Sequence, residues 1–176
     1  MMRTVVVYKS ISGFTRKYAQ WIAGDLNADL FDVKDISSDL LMKYDCIIYG
    51  GPLHASGISG VKKLTSWSVI LKEKKIIVFA TGASPSQKHI PEEILRANFT
   101  DDERTRIRFF YLRGGFDFGR LSIPFKIIMT LFKWKLLSRK EKTADERGMI
   151  DAYANPVDFC KKENLRELLD YSRKTI

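Results

Sequence analysis

Three short apolar runs constrain the fold of this chain more than any other feature. They cover residues 4–8, 46–49 and 76–80, they are rich in valine and isoleucine, and each gives way to a loop of glycine, serine or threonine. A strand that is apolar on both faces is typical of a parallel sheet covered by helices on both sides. The chain is therefore predicted to be an α/β protein with a buried parallel sheet.

Helical patterns alternate with these runs. Apolar residues recur at three- and four-residue spacing over 14–26, 61–71, 92–97 and 164–174. Two further strands are predicted, an alternating edge strand at 30–33 and a fifth strand at 107–112. Alternating strands and helices favour an open, doubly wound sheet, in which ligands bind at the carboxyl ends of the strands.

Length and composition favour one domain. The 176 residues, of which 45% are hydrophobic and 29% charged, suit a single core over residues 1–176. Cys46 and Cys160 are far apart in the chain and are interpreted as buried apolar side chains, so we expect neither a disulfide framework nor a metal site. The residues before the first strand are too few for a signal peptide, and a cytoplasmic location is expected.

The loop after the first apolar run has the composition of an anion site. Ser10-Ile11-Ser12-Gly13-Phe14-Thr15 places three hydroxyls and one glycine where a strand gives way to a helix, whose first N–H groups have no partner within the helix. A simpler interpretation is that Ser12 caps the helix. The loop lacks the glycine patterns of dinucleotide and nucleoside triphosphate sites, so neither ligand is expected.

Taken together, three loops resemble those of the flavodoxin family. The first resembles the phosphate loop, Gly50 to Gly57 the second flavin loop, and Thr81 to Pro85 the third, in the same order along the chain. The resemblance implies a flavodoxin-like, doubly wound five-stranded parallel sheet of order 2-1-3-4-5 that binds FMN. The residues implied to bind FMN are Ser10, Ile11, Ser12, Gly13, Phe14, Thr15, Pro52, Leu53, His54, Ala55, Thr81, Gly82, Ala83, Ser84 and His89.

Two features depart from the usual members of that family. Neither the second nor the third loop contains the aromatic residue that stacks on the flavin, so Leu53 and His54 are expected to take that place. The chain is also basic, with a net charge of +9. Either His54 or His89 is expected near the pyrimidine edge of the flavin, where it would favour the anionic reduced form or relay a proton.

A long insertion, about residues 113–150, follows the predicted fifth strand. Within it, residues 120–142 contain seven basic residues against the single Glu141, a net charge of +6. Residues 123–137 predict one helix, with Lys126, Thr130 and Lys133 along one line and apolar side chains over most of the rest. Packing on the domain, a homodimer contact and an anionic membrane surface through 120–142 all remain open for this helix. We expect the insertion to be separable from FMN binding.

The insertion also resembles that of the flavodoxin-like protoporphyrinogen IX dehydrogenases. The similarity rests on Tyr111-x-Arg113-Gly114-Gly115, Leu121-x-Ile123 and Ile127-Ile128-Met129. It implies oxidation of a porphyrinogen, transfer of electrons to a quinone, and a location at the inner face of the membrane. Arg113, Arg120 or Lys126 would then bind the substrate carboxylates. No catalytic residue is assigned.

The leading hypothesis is an FMN-dependent oxidoreductase whose insertion faces a membrane or a substrate. The first alternative is a non-catalytic electron carrier that docks on an acidic redox partner through the basic segment. The second is an interaction module that has lost its cofactor. A redox partner or a small-molecule substrate is expected, and no nucleic acid.

Overall fold

A computed structural model of the protein describes residues 2–67, 71–85 and 90–174. The strands are β1 (Thr4–Tyr8), β2 (Asp29–Asp32), β3 (Cys46–His54), β4 (Gly57–Ile58), β5 (Lys75–Gly82), β6 (Ile107–Arg113), β7 (Gly115–Phe116) and β8 (Val157–Asp158). The helices are α1 (Phe14–Leu26), α2 (Ser38–Leu41), α3 (Val61–Thr65), α4 (Ile90–Asn98), α5 (Asp101–Arg106), α6 (Ile123–Leu137), α7 (Ala144–Asp151) and α8 (Arg166–Arg173).

The five long strands form the predicted parallel sheet. Their spatial order is β2-β1-β3-β5-β6, which confirms the expected order 2-1-3-4-5. The additional strand β4 is a two-residue antiparallel partner at the end of β3. Both faces of the sheet are buried, as the continuous apolar runs indicated.

Alternate residues of each strand enter two different apolar layers. On one side Val6, Ile48 and Ile77 pack with Tyr18 and Ile22 of α1 and with Leu165 and Leu168 near the end of the chain. On the other side Val5, Ile47 and Val78 pack with Leu64 of α3 and Ile94 of α4. These layers hold the carboxyl ends of β1, β3 and β5 at one edge of the sheet, where the predicted loops lie.

Several elements differ from their predicted bounds. The helix expected over 61–71 ends at Thr65, and residues 68–70 lie outside the described residues. The closing helix begins as a 3-10 turn at Lys162–Leu165 and becomes α-helical only from Arg166. Sequence periodicity missed α2 and α5, because both are too short to show a repeat.

The insertion is bounded by a short antiparallel ribbon. Strand β7 pairs with β8, so the connecting segment extends beyond the predicted 113–150 to Asp158. Helix α6 has the predicted bounds, Ile123–Leu137, and α7 follows it with a Thr143–Glu146 capping box. Arg139 and Glu146 form an ion pair between the end of α6 and α7.

Candidate functional site

The three predicted loops meet at the carboxyl edge of the central strands. The N–H of Lys9, just after β1, donates to the carbonyl of Gly50 in β3 at 2.8 Å. Pro52 of β3 stands beside Thr81 of β5 in the strand register. One edge of the sheet therefore carries residues 10–15, 52–55 and 81–84 together.

The first loop ends in a helix start that is open to an anion. Gly13 is the N-cap of α1 with φ +96°, and it has no side chain with which to cap the helix, so the alternative in which Ser12 caps α1 is wrong. The Oγ of Ser10 accepts from the N–H of Arg16, the third residue of the helix, at 3.3 Å. Phe14 and Thr15 are the first two residues of α1, and N–H groups at these positions have no acceptor within the helix. They are therefore suited to bind an oxyanion.

Thr15 and Thr81 join the first loop to the third. Their Oγ1 atoms lie 2.7 Å apart in a buried hydrogen bond, and Thr15 itself is buried. The hydroxyl of Thr15 is thus engaged by the neighbouring loop, whereas Ser10, Ile11, Ser12 and Gly13 stay half-exposed. In a pair of hydroxyls one proton is used between them and the second remains free to be donated.

The second loop is a tight hairpin between β3 and β4. Leu53 pairs with Ile58 and His54 with Gly57, and Ala55 turns the chain with φ 53°. The Asn98 side chain at the end of α4 fixes it, since Oδ1 accepts from Ile58 N–H and Nδ2 donates to the Ser56 carbonyl. Pro52 and Leu53 are half-exposed at this edge.

His54 lies under the insertion. Its ring stacks on Phe125 of α6, with centroids 4.2 Å apart and planes 21° from parallel. Its Nε2 is buried without a hydrogen-bond partner among the described residues, and burial lowers the pKa of His54 below its ordinary value. The other predicted histidine, His89, lies outside the described residues.

Two side chains of β6 hold the third loop in place. The Tyr111 hydroxyl donates to the carbonyl of Ser84 at 2.7 Å, and Arg113 Nε donates to that of Ala83 at 3.2 Å. The Arg113 guanidinium also lies 3.7 Å from the centroid of the Phe159 ring. Arg113 therefore shapes the third loop through its Nε, and its role towards a substrate carboxylate stays a prediction.

Arg120 is a candidate that the motif pattern missed. A Cβ placed on Gly13 would stand only 3.5 Å from Nη1 of Arg120, so this guanidinium lies beside the start of α1. Its Nε pairs with Asp117 at 3.0 Å, which orients the side chain. Arg120 was singled out as a basic residue of the insertion, but nothing in its local sequence indicates that it reaches the first loop.

The insertion contacts all three loops, and whether FMN binding is separable from it stays a prediction. Arg120 lies at the first loop and Phe125 at the second. Beside the third, the N–H of Gly114 donates to the Gly82 carbonyl at 2.8 Å. An ion pair of 2.6 Å between Lys17 of α1 and Asp158 of β8 fixes the far end of the insertion against the same edge.

These residues fit a flavin mononucleotide. The N–H groups at the start of α1 and the cation of Arg120 suit a phosphate, whereas the unpartnered Nε2 of His54 suits a polar ring edge. The sheet is doubly wound, and its candidate ligand loops lie at the carboxyl ends of the strands where the strand order reverses. This arrangement defines a flavodoxin-like α/β protein. The sequence model of the flavodoxin domain family matches residues 5–143, and the chain belongs to that family.

Comparison with known proteins finds relatives in sequence and in structure. An uncharacterized protein of Methanocaldococcus jannaschii is 33% identical over 101 residues, which are 54% of this chain and 64% of that protein. This chain therefore matches less than two thirds of the length of that relative. The crystal structure of the flavodoxin, WrbA-like protein from Agrobacterium tumefaciens is 22% identical with a TM-score of 0.51, over 70% of this chain and 87% of that one. The solution structure of two-electron reduced Megasphaera elsdenii flavodoxin is 20% identical with a TM-score of 0.47, over 61% and 82%.

Proposed function

We propose that the protein binds FMN at this edge and acts as a flavin-dependent redox protein. The observation that carries the proposal is the meeting of an anion-binding helix start with two other loops, joined through the Thr15–Thr81 hydrogen bond. Family membership adds support, because the loops occur in the order typical of flavodoxins. A compact loop with one helix start suits a monophosphate better than a dinucleotide.

The residues take distinct roles in this proposal. Ser10, Ser12 and the N–H groups of Phe14 and Thr15 hold the phosphate, and Arg120 contributes a charge that an uncharged phosphate loop lacks. The half-exposed Pro52, Leu53 and Ala83 and the exposed Ser84 border the ring. When bound, the flavin supplies the uptake and release of electrons.

His54 is proposed to contact the ring edge. Its buried Nε2 lacks a partner, and an unsatisfied buried polar atom costs about 1–3 kcal/mol, which a ring N–H or carbonyl would offset. Because burial lowers its pKa, His54 is uncharged at neutral pH. It can then accept a proton at Nε2 as the ring becomes reduced.

Titration with FMN tests the cofactor. The purified chain is expected to bind FMN with quenching of flavin fluorescence, to bind riboflavin more weakly because the phosphate is missing, and to gain nothing from the adenosine half of FAD. Equal affinity for FMN and riboflavin would refute the phosphate site. No binding of any flavin would favour the alternative of an interaction module without cofactor.

The narrower proposal concerns the substrate. Oxidation of a porphyrinogen with transfer of electrons to a quinone is supported by the resemblance of the insertion and by the basic side chain of Lys126. The other candidate is a carrier that docks on an acidic redox protein, supported by the charge of +6 over 120–142. Anaerobic mixing of the oxidised holoprotein with a porphyrinogen distinguishes the two candidates. Only the enzyme should lose the absorbance of its oxidised flavin at once and regain it when a quinone is added.

A further inference from the structure

Helix α6 presents its apolar side to solvent. Ile123, Ile127, Leu131 and Trp134 recur at intervals of four, four and three residues, so they form one line along the helix. Ile123 is 76% exposed and Trp134 63%, and the adjacent Ile128, Phe132 and Leu137 are exposed as well. Scattered exposed apolar residues are ordinary, but a continuous row of large ones marks an interaction surface.

The side of the same helix that faces the protein is mixed, because polar Lys126, Thr130 and Lys133 lie there beside apolar Phe125, Met129 and Leu136. Lys133 places its ammonium 5.0 Å from the centroid of the Tyr153 ring, and the Tyr153 hydroxyl donates to the Met129 carbonyl at 2.6 Å. Thr130 donates to the Lys126 carbonyl at 2.7 Å, and Leu136 is the one fully buried residue of the helix. A helix at a protein surface normally leaves polar residues outside, so the exposed apolar row of α6 requires an apolar partner that the protein itself does not supply.

We infer that this exposed face of α6 docks on an anionic lipid bilayer. Exposed cations lie at the C-terminal end of the apolar face, with Lys135 inside it and Lys140 just beyond the end of the helix. Lysine on such a face can bury its stem and leave its ammonium at the lipid phosphates. None of the helices in the described ranges is long and apolar enough to cross a bilayer, and the docking is therefore peripheral.

Charge decides between a bilayer and a second copy of the chain. A two-fold dimer through α6 would place the same patch on both sides and so bring together two copies of a segment of net charge +6. Like charges across an interface oppose association, whereas anionic headgroups attract each basic residue near the surface. Because Phe125 near the start of α6 stacks on His54, docking would also bring the second loop close to the lipid.

Vesicle sedimentation tests the inference, which does not depend on the cofactor. The full chain is expected to sediment with vesicles of phosphatidylcholine and phosphatidylglycerol at low ionic strength, to be released by salt, and to stay in solution with phosphatidylcholine alone. I127D/W134D should bind the anionic vesicles at least about tenfold more weakly. The control M42D alters an apolar side chain that is 56% exposed outside the insertion, and it should bind as the unaltered chain does.

Charge reversal tests the electrostatic part with a matched control. K135E/K140E should weaken anionic vesicle binding at least about tenfold. K34E/K43E changes the net charge equally at exposed sites outside the insertion, and should have a much smaller effect. Brominated lipid should quench tryptophan fluorescence in the unaltered chain but much less in W134F.

Other outcomes would overturn the inference. Equal vesicle binding by I127D/W134D and the unaltered chain would exclude the apolar face. Equal loss in K135E/K140E and K34E/K43E would show attraction by net charge alone. A stable dimer in sedimentation velocity that I127D/W134D converts to monomer, together with no vesicle binding, would assign α6 to a second copy of the chain. All these side chains are already exposed, so circular dichroism should show unchanged folding.

Discussion

The Oγ1 atoms of Thr15 and Thr81 lie 2.7 Å apart and are buried, which joins the first turn of α1 to the end of β5. Either hydroxyl can donate, so the direction of the bond can reverse when an anion accepts a hydrogen bond from one of the two hydroxyls. The contact couples the phosphate side of the candidate site to the loop that borders the ring.

Replacing either threonine by valine should destabilise the protein. Each single change leaves the other hydroxyl buried without its partner, which costs about 1–2 kcal/mol of unfolding free energy. The double change removes both polar groups and should cost less than the sum of the single changes. Urea denaturation of the four forms measures this, and additive losses would show that the two hydroxyls do not interact.

Two glycines of the same region form a matched pair. Gly13 has φ +96° beside Arg120, whereas Gly24 lies within α1, where an added Cβ would meet nothing within 4 Å. Gly13→Ala should lose about 1 kcal/mol of stability and weaken FMN binding. Gly24→Ala should gain about 0.5–1 kcal/mol with FMN binding unchanged. Thermal unfolding and FMN titration measure both effects, and equal FMN affinity in the two variants would contradict the phosphate site.

Arg120→Gln should weaken FMN binding while leaving riboflavin binding unchanged. The Arg120 side chain is 67% exposed, and solvent screening limits its contribution to about 1 kcal/mol, roughly fivefold in affinity. The difference between the two ligands should shrink as salt is added. Arg147→Gln removes an exposed charge of the same insertion and serves as the control. An equal change in both variants would show that Arg120 acts only through net charge.

His54 should make the protein sensitive to acid. Burial lowers its pKa in the folded state below the ordinary value of 6.5, so the unfolded chain binds a proton first as the pH falls. Stability contributed by the neutral ring is thus present above pH 6.5 and declines below it. The free energy of unfolding of His54→Gln should fall less between pH 7.5 and about pH 5 than that of the unaltered chain. Parallel pH profiles for the two would show that His54 takes up no extra proton on unfolding.

Replacing residues 121–142 by a short Gly/Ser linker should weaken FMN binding, because it removes the ring that stacks on His54. Phe125→Ala should reproduce most of that loss. Phe132→Ala removes an exposed ring two turns further along α6, away from His54, and should bind FMN normally. Full FMN affinity in the shortened chain would restore the hypothesis that the insertion is separable from the cofactor site.

The predictions from sequence succeeded where the signal is local. Continuous apolar runs gave β1, β3 and β5, and helical periodicity gave α6 with its bounds, because each pattern lies within one element. The loops could be aligned at one edge since parallel strands end together. The start of α5 also carried a readable signal, the capping box of Thr100 and Glu103, which the search for periodicity passed over.

The rest depended on contacts between distant parts of the chain. The approach of Arg120 to Gly13 and of Phe125 to His54 follows from how the insertion packs, and no local pattern encodes that packing. Hydrophobic periodicity identified the two sides of α6, but it assigned neither to solvent. The rule that apolar stripes face the protein would have given the wrong orientation here.

The pairing of β7 with β8 has an evolutionary consequence. Phe116 and Val157 are paired neighbours on adjacent strands, about 5 Å apart, so everything between them is a long tip on a two-stranded hairpin. Such a tip can lengthen, shorten or be exchanged without moving β6 or α8, which carry the sheet and its cover. We therefore expect related proteins to differ in the length and charge of the segment between residues 117 and 156. The ribbon of β7 and β8 at its base should be present in all of them.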